Sequence, residues 1–175
     1  MTSISYCLAC GSALSEGSLP GEIRPRLYCA SCGYIHYINP KVVCGTLPEQ
    51  DGGIWLLRRG IEPRLGYWTY PAGFQEIDES SDQAALRETR EELGCDVKIG
   101  ALFGVYSRPG APVNVVYRAR MIDGGQSPRP TDESIEARLF AADEIPWNDL
   151  AFPSTYAVLR DWAASVVRHQ VTEAP

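Results

Sequence analysis

Gly73, Glu79, Arg87-Glu88, Glu91-Glu92 and Gly94 stand at fixed intervals, with five residues between Gly73 and Glu79 and seven between Glu79 and Arg87. On a helix Glu88, Glu91 and Glu92 fall at i, i+3 and i+4, so three carboxylates crowd one face. They also lie in the last turns before a Gly94 stop, where the helix dipole disfavours negative charge. A helix so charged is weakened unless something positive sits on it. The simplest such partner is a divalent cation with a preference for hard oxygen ligands, Mg²⁺ or Mn²⁺. A solvated acidic face accounts for a lone Glu-Glu pair, but not for the joint spacing of a loop glycine, Glu79, Arg87 and three phased glutamates.

Around that helix the chain reads as short strands and turns. Strands are expected at 41–47 and 54–58, joined through the hairpin signal Asp51-Gly52-Gly53. A loop over 59–67 leads to a short strand at 68–70 and then to Pro71-Ala72-Gly73. Ser80 with Gln83 three residues on is a capping-box start for the acidic helix, which buries Ala85, Thr89 and Leu93. Strands follow at 97–106 and 113–122, then a Gly/Pro-rich loop over 123–131 and a last strand at 135–140. A single turn at 143–145 and a closing helix over 154–169, capped by Ser154, complete the pattern, with a frayed tail beyond Gln170.

The amino-terminal segment carries a second motif. Cys7-Leu8-Ala9-Cys10-Gly11 and Cys29-Ala30-Ser31-Cys32-Gly33 are two copies of one element, with eighteen residues between Cys10 and Cys29. Four thiolates at this spacing suit a tetrahedral Zn²⁺, and each glycine allows backbone N–H groups to turn toward sulfur. Four thiolates close the coordination shell, so this zinc is read as structural. The segment 1–37 is too short to fold on an apolar core of its own, and metal binding supplies what is missing. It is read as a zinc ribbon, followed by a larger domain over 38–170. His36 is a spare ligand at most. Cys44 and Cys95 lack a partner spacing and are read as small buried hydrophobes.

A hydrophobic fraction of 45% gives the 175-residue chain a real core, and its net charge of -6 argues against a general nucleic-acid binder. The charge suits a site that holds cations and receives an anionic substrate through them. Residues 1–6 show neither a basic stretch nor an apolar run, and no segment is apolar enough to span a bilayer. A cytoplasmic setting without membrane attachment is therefore expected.

The spacing from Gly73 to Cys95 resembles the signature of the Nudix hydrolases, G-x5-E-x7-R-E-U-x-E-E-x-G-U with U apolar, and every fixed position matches; Thr89 and Cys95 occupy the two U positions. The resemblance implies an α/β/α sandwich with a mixed sheet, here joined to the small ribbon. It implies Glu88, Glu91 and Glu92 as ligands of Mg²⁺ or Mn²⁺, with the Gly73 carbonyl brought to the same metals. Arg87 would orient a glutamate of the set, and Glu79 would support it from behind. Family members often add a carboxylate from outside the signature, and Glu133 is favoured over Glu136 for that place.

The resemblance extends over residues 7–162 to members with an amino-terminal zinc ribbon. It is carried also by Ile38-Asn39-Pro40-Lys41, by Trp68-Thr69-Tyr70-Pro71-Ala72-Gly73-Phe74, by the run Glu133-Ser134-Ile135-Glu136-Ala137-Arg138-Leu139-Phe140, and by Glu144-Ile145-Pro146-Trp147. Such members hydrolyse dinucleotide-like diphosphates, notably FAD and ADP-ribose. The related NADH pyrophosphatases, some of which remove NAD caps from RNA, carry a Ser-Gln-Pro-Trp-Pro-Phe-Pro-x-Ser element; this chain has Val105-Tyr106-Ser107-Arg108-Pro109-Gly110 there, so NADH ranks lower. A module that senses ADP-ribose without turnover and an enzyme that clears oxidised nucleoside triphosphates are the competing functions. Trp68, Tyr70, Phe74 and Tyr106 are the candidates for stacking on a base or flavin, and Arg58 or Arg59 for touching phosphate. The resemblance also allows a homodimer, which no residue of the chain establishes.

Overall fold

In a computed structural model, described here over residues 4–172 and with side chains up to residue 166, the chain divides into two compact units after Asn39. Residues 1–3 and 173–175 lie outside the described residues, and with them most of the tail expected to fray.

The first unit holds three short antiparallel strands, β1 (Ser15–Gly17), β2 (Arg26–Tyr28) and β3 (Ile35–His36), in the order β1-β2-β3. Glu22 draws it together: its carboxylate accepts from Arg26 Nε at 2.7 Å and from the Tyr37 hydroxyl at 2.8 Å.

The second unit is built on the strands β4 (Val42–Gln50), β5 (Gly53–Arg59), β6 (Trp68–Thr69), β7 (Ala72–Phe74), β8 (Val97–Tyr106), β9 (Val113–Met121) and β10 (Ser134–Phe140). The main path of its sheet runs β10-β5-β4-β9-β8; β4 and β9 are parallel, and the other neighbours antiparallel. The hairpin between β4 and β5 turns on Asp51 and Gly52, whose φ values of 49° and 78° are those of the two-residue turn that follows strand twist. Beyond that turn β4 and β5 pair only at Glu49↔Ile54 and Gln50↔Gly53. They splay, and the short strands enter the opening: β7 pairs with β4 over Val43–Gly45, and β6 with β5 at Leu57 and Arg58. This insertion brings Gly73 to the middle of the sheet.

Alternation along the strands sends side chains to two layers. Cys44, Val115 and Ala119 face the helix α1 (Ser81–Leu93), whose Ala84, Ala85 and Leu93 are fully buried. Leu47, Leu56 and Val116 face the opposite side and pack with Val158, Leu159 and Trp162 of α2 (Pro153–Thr172). The result is the expected α/β/α sandwich. Cys44 and Cys95 are buried with the hydrophobes, as expected. Thr89, the polar residue at an apolar signature position, is fully buried because its hydroxyl is shared with Thr46 Oγ1 at 2.7 Å and reaches the Ala85 carbonyl at 2.7 Å.

Two local expectations shift. The turn before the last helix is followed by a 3₁₀ turn at Trp147–Asp149. The closing helix opens at Pro153, so Ser154 lies inside its first turn and does not cap it. Proline suits that first position because its missing N–H would have had no helical partner. Among the described residues no helix is long and apolar enough to cross a membrane.

Candidate active site and zinc centre

In the first unit the four cysteine Sγ atoms all lie within 4.8 Å of one another. Cys7 faces Cys32 at 3.6 Å and Cys10 faces Cys29 at 3.5 Å, spacings that suit the corners of one tetrahedral S₄ site. The two knuckles have the same build. Gly11 and Gly33, at φ 74° and 75°, donate their N–H groups to the Cys7 and Cys29 carbonyls, each at 2.9 Å. None of the four is disulfide-bonded, and His36 is not part of the set. The donor chemistry fits one structural zinc, closed to water. Elemental analysis of the purified protein is expected to give one zinc per chain. Its removal by chelation should speed amide exchange across residues 5–38 by orders of magnitude while β4 and β9 stay protected. A zinc-free protein with an ordered first unit would contradict this.

The second unit carries the acidic helix. Ser80 N–H donates to Gln83 Oε1 at 2.9 Å at its start, and Gly94, at φ 63°, ends it. Glu88 and Glu92 are 9% and 4% exposed, and Glu91 stands out in solvent. Arg87 gathers the others: it bonds Glu79 through Nε at 3.1 Å and Nη2 at 2.6 Å, Glu88 through Nη1 at 2.7 Å and Glu91 through Nη1 at 3.0 Å. Its Nη2 also reaches the Phe74 carbonyl at 3.0 Å, which ties β7 to the helix. Glu92 accepts instead from the Ala72 N–H at 2.8 Å. Arg87 holds the Glu79 carboxyl below its ordinary range. Burial acts the other way on the next two, raising Glu88 against the pull of Arg87 and pushing Glu92 up to about 8.

Two buried carboxylates, Glu88 paired with Arg87 and Glu92 held by a backbone N–H, form a site short of positive charge, as a divalent-cation site should be. Gly73 supports the fit. A Cβ built there would lie 2.2–2.3 Å from the Glu88 carboxylate atoms, so the backbone of β7 approaches Glu88 as only glycine allows. Among the described residues the four cysteines are the one group of three or more such side chains gathered closely enough to hold a metal, and the glutamates of the helix form no such group.

Glu88, Glu91, Glu92 and Gly73 line one wall of a cavity of about 1040 Å³. Glu133 joins them, but Glu136 lies outside the lining and faces Arg58 at 3.6 Å. Phe74, 48% exposed, lines the cavity with the Lys41 ammonium 4.7 Å from its ring centre. Tyr70 reaches the cavity only as wall, since it is 2% exposed and belongs to the main core. Two expected contacts are not found there. Trp68 is buried edge-on against Phe140, 4.9 Å between ring centres, and Arg58 leans over the exposed face of β5 to the Gly66 carbonyl at 2.8 Å. The next residue, Arg59, faces the cavity instead. It is 9% exposed, with Nε on the Pro63 carbonyl at 2.8 Å and its guanidinium 5.2 Å from the Phe152 ring centre.

Sequence reasoning missed the opposite wall, where Phe152, Pro153, Ser154 and Thr155 bring the start of α2 to the cavity and Asn114 rises from β9. Asn114 had a signal, a polar residue on an apolar strand. The first turn of α2 contains no acidic residue, so its positive dipole end is not neutralised locally.

Family models match both units: "NUDIX domain" over residues 39–162 and "Nudix N-terminal", a zinc ribbon, over residues 5–38. The chain is 33% identical over 118 residues to an ADP-ribose pyrophosphatase of Methanocaldococcus jannaschii, an alignment that covers 65% of this chain and 69% of that one. It is 29% identical to an NAD-capped RNA hydrolase NudC of Stutzerimonas stutzeri, over 89% of this chain but 53% of the relative, so it spans about half the length of that enzyme. A crystal structure of a NUDIX hydrolase from Nitrosomonas europaea superposes with a TM-score of 0.87 at 40% identity, covering 95% of this chain and 93% of that one. With the spacing of its acidic helix, its sandwich fold and its four-cysteine knuckles all in agreement, the chain belongs to the Nudix hydrolase family and carries that family's amino-terminal zinc ribbon.

Proposed function

We propose that this hydrolase cleaves the phosphoanhydride bond of a nucleoside diphosphate derivative, with ADP-ribose and FAD as the substrates to expect. The observation that carries the reading is the pair of buried carboxylates, Glu88 and Glu92, that line one large cavity, Glu88 paired with Arg87 and Glu92 held by the Ala72 N–H. A volume of about 1040 Å³ lies at the upper end of small-molecule sites and suits a bulky dinucleotide-like ligand. The name of the archaeal relative supports ADP-ribose.

In this reading Glu88, Glu91, Glu92 and the Gly73 carbonyl hold Mg²⁺ or Mn²⁺. Such ions, when bound, neutralise phosphate oxygens and lower the pKa of a coordinated water. Arg87 fixes the Glu88 and Glu91 carboxylates from behind and is itself anchored on Glu79. Glu133 serves as a further ligand or takes a proton from the attacking water. Arg59 replaces Arg58 as the cation that contacts phosphate, because its planar fork is buried at the cavity wall and stacked on Phe152. Phe74 offers an exposed ring face to a base or flavin.

A second reading, cleavage of NADH or of NAD caps on RNA, is favoured by the NudC relative, which aligns across both units. In this reading the enzyme works in the cytoplasm and as a homodimer, the latter to be tested by sedimentation of the purified protein. Phosphate release after phosphatase coupling, measured with Mg²⁺ on ADP-ribose, FAD, NADH and nucleoside triphosphates, tests the assignment. ADP-ribose or FAD is expected to give the highest kcat/KM. Preference for NADH would favour the second reading, preference for a triphosphate the clearing of damaged nucleotides, and no product from any of them a sensor.

A further inference from the structure

The loop ahead of β10 is bound to the acidic helix by two hydroxyl groups that the signature does not contain. The last carbonyls of a helix lack intrahelical partners. At the end of α1 the Glu92 carbonyl accepts from Ser134 Oγ at 2.6 Å and, more weakly, from Thr131 Oγ1 at 3.4 Å, and the Leu93 carbonyl accepts from the Arg129 N–H at 2.9 Å. Ser134 is 1% exposed, so its hydroxyl is committed inside the protein. The turn between the two hydroxyls is closed by the Thr131 N–H donating to the Ser134 carbonyl at 3.1 Å.

Glu133 lies inside that turn with both flanking peptide groups held. Its N–H donates to Thr131 Oγ1 at 3.2 Å, and its carbonyl accepts from the Gly60 N–H at 2.7 Å. The pairing of β10 with β5 slips between Ser134 and Glu136, a bulge of the kind that re-aims side chains at the start of a strand. The outcome is that Glu133, forty-one residues beyond Glu92 in the chain, enters the same cavity as Glu88 and Glu92.

We propose that Ser134 is a positioning residue: through the Glu92 carbonyl it sets the Glu133 side chain relative to the carboxylates of the acidic helix, with Thr131 as its partner. The proposal rests on the reading of Glu133 as a working residue of the hydrolase. An ordinary helix cap would stabilise α1 and nothing more. This one joins the backbone of one candidate metal ligand to the turn that carries the other acidic group of the cavity, so its loss is felt at the site.

The test is a double-mutant cycle on kcat, in the full chain, with the best substrate of the panel and saturating Mg²⁺. Ser134→Ala is expected to lower kcat by about 10–100-fold, as loss of a ligand-orienting partner does, with KM little changed. Ser134→Thr, which keeps the hydroxyl, should restore most of the rate. In the Glu133→Gln background Ser134→Ala should cause no further loss, because its effect runs through Glu133. The proposal fails if Ser134→Ala retains the parental kcat, or if it causes the same loss in both backgrounds. If Glu133→Gln alone retains the parental rate, the role of Glu133 falls and the proposal with it, whereas the diphosphatase assignment stands as long as the parent turns over. Should Ser134→Ala not fold, Thr131→Ala removes the acceptor of the Glu133 N–H and enters the same cycle with the same criteria.

Discussion

Glu92→Gln is expected to lower turnover by about three orders of magnitude, roughly 4 kcal/mol of transition-state stabilisation, without unfolding the protein. Glutamine has the shape of glutamate and keeps an amide oxygen for the Ala72 N–H, so the contact between β7 and α1 survives. What is lost is a negative charge at a place where charge is costly. Glu92 is 4% exposed, and burial pushes its carboxyl up to about 8. Without a cation the neutral side chain suits this environment at least as well as the ionised one. The Tm of the variant in EDTA should therefore equal or exceed that of the parent. With Mg²⁺ the order should reverse: binding stabilises the folded parent by mass action, and the variant gains less. A near-parental rate, or a variant that melts far below the parent in EDTA, would remove Glu92 from the metal site.

Glu92 is legible in the amino-acid sequence alone. The phasing of Glu88, Glu91 and Glu92 follows from helical geometry alone, and Gly73, Glu79 and Arg87 are fixed to them in spacing. The doubled Cys-x2-Cys-Gly element was equally plain, because ligand spacing is a property of the local chain. Strand residues were harder to place. Successive side chains point to opposite faces, so an uncertainty of one residue exchanges Arg58 for Arg59. The burial of Trp68 is hidden in the sequence because β6 is too short to show a pattern; it follows from the splaying of β4 and β5, which the sequence does not announce. The roles of Ser134 and Thr131 are hidden for another reason. Their bonds run to the Glu92 carbonyl, and a hydroxyl bonding a backbone atom leaves no mark in side-chain pattern. The start of α2 reaches the cavity only through the packing of the two layers.

Gly73→Ala is expected to separate stability from function. The added methyl would lie 2.2–2.3 Å from the Glu88 carboxylate, so one of the two must move. The backbone of β7 is held by its pairing with β4 at Cys44↔Gly73, whereas the Glu88 carboxylate is the free end of a flexible side chain. Glu88 therefore swings away and gives up its 2.7 Å bond to Arg87. The cost to folding should be small, about 1 kcal/mol, with the fold kept. The cost to the reaction should be about 100-fold in kcat, because displacing the proposed ligand by about an ångström spoils the alignment that the site supplies. Glu88→Ala provides the control. With that side chain removed, the methyl meets no carboxylate, and Gly73→Ala should lower neither Tm nor residual kcat further. If Gly73→Ala destabilises the Glu88→Ala protein as much as the parent, the glycine serves the strand and not the carboxylate, and the close approach of β7 to Glu88 has no part in building the site.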